Sequence, residues 1–149
     1  MPRSSALEYA LKLLGYRART EKELRLKLAE KKYQPEEVAE VLAKLVKIGF
    51  IDDQKFAENY VRDKLSISRR GPRRINFELI KHGVAKEIAE LATKVIDKDE
   101  ELAIAESLLK SRQRQWSKLD PLVKKRRAIG LLARRGFSSN ILNRLLKDL

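Results

Sequence analysis

The chain has 149 residues, of which 43% are hydrophobic and 37% charged, with no cysteine and a formal net charge of +13; its pI is near 10.1. Disulfides and thiolate metal sites are excluded, and no apolar run approaches the ~20 residues needed to span a bilayer. Such an excess of positive charge calls for a polyanion or an acidic protein groove as partner.

Helical patterning is nearly continuous, and Leu, Ala, Lys, Glu and Arg dominate, which favours helix. Ala6, Leu7, Ala10, Leu11 and Leu14 predict a first helix ending near Gly15. Thr20 with Glu23 is a capping box that opens a second, with Leu24 and Leu28 inside. Pro35 starts a third, carrying Val38, Val41, Leu42, Leu45 and Ile48. Gly49 stops it, and Asp52 or Asp53 caps a fourth whose apolar face is Phe56, Ala57, Tyr60, Val61 and Leu65. Gly71-Pro72 breaks that helix and starts a fifth, lined by Ile75, Leu79 and Ile80 and closed by Gly83. Ile88, Leu91, Ala92 and Val95 line a sixth. An acidic start at 97–101 opens a seventh, with Leu102, Ala105, Leu108, Leu109 and Trp116. Asp120-Pro121 opens an eighth around Leu122, Ile129 and Leu132, and Ser138 caps a ninth with Ile141, Leu142, Leu145 and Leu146. No alternating strand is visible.

The nine helices fall into three similar units, 1–50, 51–98 and 99–149. Leu79-Ile80-Lys81-His82-Gly83-Val84 with Ile88 aligns without a gap on Leu132-Ala133-Arg134-Arg135-Gly136-Phe137 with Ile141. In the first unit Tyr33-Gln34-Pro35 replaces the glycine turn. Units of this size are too small to be stable alone, so neighbours must pack on one another. The expected fold is all-α: an elongated array of three tandem three-helix repeats, each like a helix-turn-helix.

Catalytic readings fail on the residues. His82, the one histidine, stands where a helix ends and a cation is favoured, so it is read as a cap. Asp52 and Asp53 are adjacent at a helix start and do not face each other, so they too are read as caps rather than metal ligands. Gly71-Pro72 lacks the ending that gives a phosphate loop its lysine and metal ligand. No catalytic, cofactor-binding or metal-binding residue is assigned, and the chain is not expected to be an enzyme.

The basic residues are clustered. Eleven basic face seven acidic residues over 1–50, eleven face eight over 51–98, and twelve face six over 99–149. Arg69, Arg70, Arg73 and Arg74 crowd the Gly71-Pro72 break, while Lys124, Lys125, Arg126, Arg127, Arg134 and Arg135 lie on the eighth helix. Gly130 in that helix would let a phosphate approach beside the arginines. Guanidinium forks suit phosphate and carboxylate, so these ten residues form the candidate nucleic-acid or filament-binding set. Trp116 could stack on a base, but its spacing from Arg112 and Leu109 places it in the core or at an interface edge. Major-groove reading is a weaker prospect. Glu36, Glu37 and Glu40, and Glu87 and Glu90, would meet phosphate repulsion, and only Ser138, Ser139, Asn140, Asn143 and Arg144 suit base edges.

The segment Ile51-Asp52-Asp53-x-x-Phe56-Ala57-x-x-Tyr60, followed by Arg70-Gly71-Pro72-x-x-Ile75-x-x-Glu78-Leu79, resembles the RecX family. The likeness extends to Thr20-Glu21-x-Glu23-Leu24-x-x-Lys27-Leu28 upstream and Arg135-Gly136-Phe137 downstream. That family comprises bacterial regulators of the RecA recombinase built from helical repeats. The resemblance implies a partner, the RecA filament on single-stranded DNA, and a role in inhibiting or modulating recombination and the damage response. A basic helical protein that binds single- or double-stranded DNA without a recombinase is the alternative. A cytoplasmic monomer without cofactor and without membrane contact is expected.

Overall fold

The computed structural model describes residues 4–147. Among them are ten helices and no strand: α1 (Ala6–Tyr16), α2 (Glu21–Glu30), α3 (Pro35–Lys47), α4 (Asp53–Ser66), α5 (Pro72–Lys81), α6 (Lys86–Lys94), α7 (Lys98–Lys110), α8 (Gln113–Trp116), α9 (Pro121–Arg134) and α10 (Ser139–Leu146). Their starts follow from local chemistry. Thr20 and Glu23 form the reciprocal capping box of α2, and Asp52 accepts from the Lys55 amide at the start of α4. Pro35, Pro72 and Pro121 stand in the first turn of α3, α5 and α9, where a missing N–H costs nothing.

The second helix of each unit ends in the same six-residue turn. Val84 donates to Leu79 and Gly83 to Ile80; Phe137 donates to Leu132 and Gly136 to Ala133; Tyr33 donates to Leu28 and Lys32 to Ala29. This pattern needs a left-handed residue after the helix. Gly83 and Gly136 supply it at φ +100° and +85°, and Lys32 supplies it in the first unit at +63°.

Three separate cores result. The first gathers Ala10, Leu24, Leu28 and Leu42 from α1–α3; the second Ala57, Val61, Leu79 and Ala89 from α4–α6; the third Leu108, Leu132, Phe137 and Ile141 from α7, α9, the turn after it and α10. Ile104 touches both the second and the third. The accessible surface of 10225 Å² is about 30% above the ~7,800 Å² of a compact protein of this mass, as an elongated array requires.

Several expectations are corrected. The seventh helix breaks after Lys110, and Trp116 belongs to the short α8. Leu11, Ile48, Ile80, Leu91, Val95, Leu122 and Ile129 are exposed rather than inside. The reason is clearest in α6, which packs on both α4 and α5. Close approach to two neighbours selects the short side chains Ala89, Ala92 and Thr93, and turns Leu91 and Val95 outward. In α9 the buried stripe is Ala128, Leu131 and Leu132, which leaves Leu122 and Ile129 on open faces. Phe56 and Tyr60 are half-buried; Ala57, Val61 and Leu65 carry the packing of α4.

Candidate nucleic-acid interface

The units are joined end to end through their helix termini. At the first joint the Thr20 hydroxyl, at the start of α2, donates to the His82 carbonyl at the end of α5 (2.6 Å). The Asp53 carboxylate accepts the Glu21 amide there (3.0 Å). At the second joint the Gly71 amide donates to the Arg135 carbonyl (2.6 Å) and the Arg73 amide to the Gly136 carbonyl (3.0 Å). The end of α9 therefore meets the start of α5, and the end of α5 meets the start of α2. At the second joint orphan carbonyls of one helix satisfy amides at the start of the next, and the two backbones touch; at the first, side chains of Thr20 and Asp53 complete the bonds. A Cβ on Gly71 would lie 2.5 Å from the Gly136 carbonyl group, and one on Gly136 would lie 2.5 Å from the Arg74 Cβ.

This second joint gathers six of the ten candidate residues. Arg70 places Nη1 3.0 Å from both Glu78 carboxylate oxygens. Arg74 reaches the same carboxylate through Nε (3.4 Å) and donates from Nη1 to the Arg134 carbonyl (3.3 Å). The Tyr60 hydroxyl also meets Glu78 (3.2 Å); burial and then the Glu78 charge push that phenol up from its ordinary pKa. Arg135 donates to the Ser68 carbonyl (2.7 Å). Arg69, in the left-handed region at φ +51°, reaches the Ser107 carbonyl at 3.5 Å. Arg73 and Arg134 are exposed.

The electrostatics follow from that crowding. Burial, and then the guanidinium groups of Arg74, Arg112, Arg70 and Arg69, push the Arg135 pKa down from its ordinary value. Like charges held this close repel one another, and an incoming anion relieves the repulsion. Arg70 and Arg74 are partly committed to Glu78, which leaves Arg73 and Arg134 as the most available cations of the six.

The other four lie farther along α9. Lys125, Arg126 and Arg127 are exposed, and Lys124 is half-buried. Lys124 edges a hollow of about 350 Å³ that also contains Leu109, Trp116 and Leu145. It stands ten positions before Arg134, about 15 Å along the helix, so the ten residues do not form one compact site. The space beside Gly130 is taken by Arg134 itself, whose Nη1 lies 2.9 Å from where a Cβ would stand. Trp116 packs half-buried against the third core. His82 is the C-cap of α5, and its ring also leans on Phe56 and Tyr60 (5.8 and 5.2 Å between centroids). Its Nδ1 lies 3.4 Å from Glu23, so it belongs to the first joint as well.

Sequence reasoning missed Phe77 and Lys81. Phe77 and Lys81 line a groove of about 590 Å³ at the second joint, together with Arg73, Arg74 and Arg134. The available signal was their spacing, since Arg73, Phe77 and Lys81 recur every fourth residue on one helix.

Models of three RecX domains match the chain: the first three-helix domain over residues 6–45, the second over 52–92 and the third over 99–146. Regulatory protein RecX of Mycobacterium sp. (strain JLS) is 41% identical over 138 residues, which is 89% of this chain and 75% of that one. The protein of the same name from Mycolicibacterium smegmatis (strain ATCC 700084 / mc(2)155) is 36% identical over 141 residues, 91% of this chain and 74% of that one. The crystal structure of RecX from Lactobacillus salivarius superposes with a TM-score of 0.88 at 28% identity, covering 97% of this chain and 94% of that chain.

Proposed function

The chain belongs to the RecX family of regulatory proteins, and on that premise we propose that it binds the RecA recombinase filament on single-stranded DNA. There it limits or modulates ATP hydrolysis, strand exchange and the co-protease function of the damage response. The observation that carries this reading is the second joint. Six guanidinium groups converge where two units of an elongated array abut, which suits a long, repeating, negatively charged partner better than a compact one. Contacts with phosphate and with acidic side chains of the filament use the same forked donors.

The test is recombinase ATPase on single-stranded DNA with this protein at substoichiometric and stoichiometric ratios. Alongside it, affinities for naked single strands, duplex and recombinase-coated strands are measured over a salt series. Each phosphate neutralised adds a slope of about −0.9 on duplex and about −0.7 on single strands. A filament modulator changes the ATPase rate and keeps its preference for the coated strand as salt rises, because protein contacts add a component that counterion release does not supply. Equal affinity for coated and naked strands at every salt concentration overturns the proposal and leaves a plain basic DNA-binding protein.

A further inference from the structure

On α5 the residues Arg73, Phe77 and Lys81 stand on one ridge, one turn apart at about 6 Å intervals. All three are exposed, Phe77 to 65%. The buried residues of that helix are Ile75 and Leu79, so Phe77 takes no part in the core. A single exposed phenylalanine is ordinary; its placement here is not. It lies in the groove of about 590 Å³ that the second joint creates, with cations before and after it and Arg134 on the facing unit. Glu78, the one acidic residue of that lining, is already engaged by Arg70 and Arg74.

We infer that this groove is a binding site for a single-stranded polynucleotide, in which a base stacks on Phe77 and the flanking phosphates are held by Arg73, Lys81 and Arg134. The alternation cation, ring, cation along α5 matches the alternation phosphate, base, phosphate along an unpaired strand. A duplex hides the base faces that the ring needs, whereas a single strand offers them. Stacking of this kind tolerates any base, because each has a flat face. The inference deepens the regulatory reading and rests on it for the biological strand, yet the groove's chemistry is measurable on naked DNA.

The experiment uses the full chain and its Phe77→Ala, Phe77→Leu and Phe77→Trp variants, with circular dichroism to confirm equal helicity. Fluorescence anisotropy reads binding to labelled oligodeoxythymidylate, to an abasic strand of equal length and to duplex. Phe77→Ala weakens binding to the thymidylate strand about five- to 150-fold without changing the salt slope, and Phe77→Trp retains it. The abasic strand binds wild type and Phe77→Ala alike. Wild-type affinity for the thymidylate strand in Phe77→Ala, or in Phe77→Leu, overturns the stacking site. So does polyglutamate that displaces the strand at matched charge only when Phe77 is present, since the groove then takes an acidic protein segment. Preference for recombinase-coated strand is measured on the same proteins. If that preference persists while Phe77→Ala has no effect, the groove fails and the regulatory reading stands. If Phe77→Ala acts as described without any preference for the coated strand, the groove stands and the filament reading fails.

Discussion

Replacing Gly71 by alanine tests whether the second joint is as close as the backbone contacts imply. Gly71 has φ −86°, which alanine adopts without strain, so the substitution acts only through space. Its Cβ would lie 2.5 Å from the carbonyl carbon and oxygen of Gly136 and the amide of Phe137, where 3.4 Å is ordinary contact. All three are backbone atoms, which cannot swing aside as a side chain can. The units must part by about 1 Å, stretching the bonds from Gly71 to Arg135 and from Arg73 to Gly136. At about 0.5–1.5 kcal/mol each, the loss is about 1–3 kcal/mol. Gly49→Ala is the complement: φ is +85° but no atom lies within 4 Å, so it costs only the left-handed strain of about 1–2 kcal/mol. Gly136→Ala combines both effects. Urea unfolding followed by circular dichroism gives the three stabilities, and small-angle scattering reports whether the joint opens. A Gly71→Ala protein within about 0.5 kcal/mol of wild type, the scatter of an ordinary surface change, and of unchanged radius of gyration would falsify the close joint.

Three further outcomes follow from the same contacts. Arg70→Ala removes the nearest partner of Glu78 and lowers the melting temperature of the protein, while Arg73→Ala leaves it unchanged and reduces the salt slope for single strands by about 0.7; the reverse pattern would show that the two arginines are misassigned. Phe56→Ala costs about 2 kcal/mol, below the 3–5 kcal/mol of a fully buried phenylalanine, because the ring is half-buried between Tyr60 and His82; urea titration decides. Asp53 is pushed up from its ordinary pKa by burial, against the Glu21 amide it accepts, with the charges of Glu21, Asp52 and Glu23 adding to the rise. An acid whose folded pKa lies above its unfolded one weakens the fold when ionised, and that cost vanishes as pH falls below both values. Asp53→Asn keeps an acceptor for Glu21, so it is at least as stable as wild type at neutral pH and loses that advantage in acid; a variant less stable at neutral pH refutes the account.

Much of this was legible in the chain. Helix starts at Thr20 and Asp52 rest on hydrogen bonds within four residues, and local interactions leave local signatures. Which apolar face packs was less legible, because it depends on the neighbour: Leu91 and Val95 fit the helical period as well as Ala89 and Thr93 do. The joints were hidden altogether, since backbone groups make most of their hydrogen bonds. One clue was present. Lys32 shows that the helix-ending turn tolerates a side chain at positive φ. The glycines at 83 and 136 therefore answer a second demand, room for Lys22 and Arg74 of the preceding unit. Of the candidate basic residues, the sequence indicated the charge but not its use. Glu78, which engages Arg70 and Arg74, stands four and eight positions away, and Arg134 and Arg135 reach them only through the fold.

The two joints share a head-to-tail meeting of helix ends and differ in charge, and that difference bears on how a polyanion could lie along the array. Aligning α9, α5 and α2 head to tail brings the negative end of one helix dipole to the positive end of the next, so the partial charges largely cancel at each seam. What remains is set by side chains. Around the first seam stand Glu21, Glu23 and Asp53, close enough that their charges oppose the ionisation of Asp53. Around the second stand Arg69, Arg70, Arg74, Arg112 and Arg135, close enough that the others oppose the protonation of Arg135. At the first seam Glu21 is answered by Arg25 (2.9 Å) and Glu23 by Arg17 (2.8 Å); at the second, one carboxylate, Glu78, is shared by Arg70 and Arg74. Cations are therefore less balanced by carboxylates at the second seam, where a groove also holds an aromatic ring among them. Net charge alone, +13 over the whole chain, does not distinguish the two seams; the pairing of their charges does.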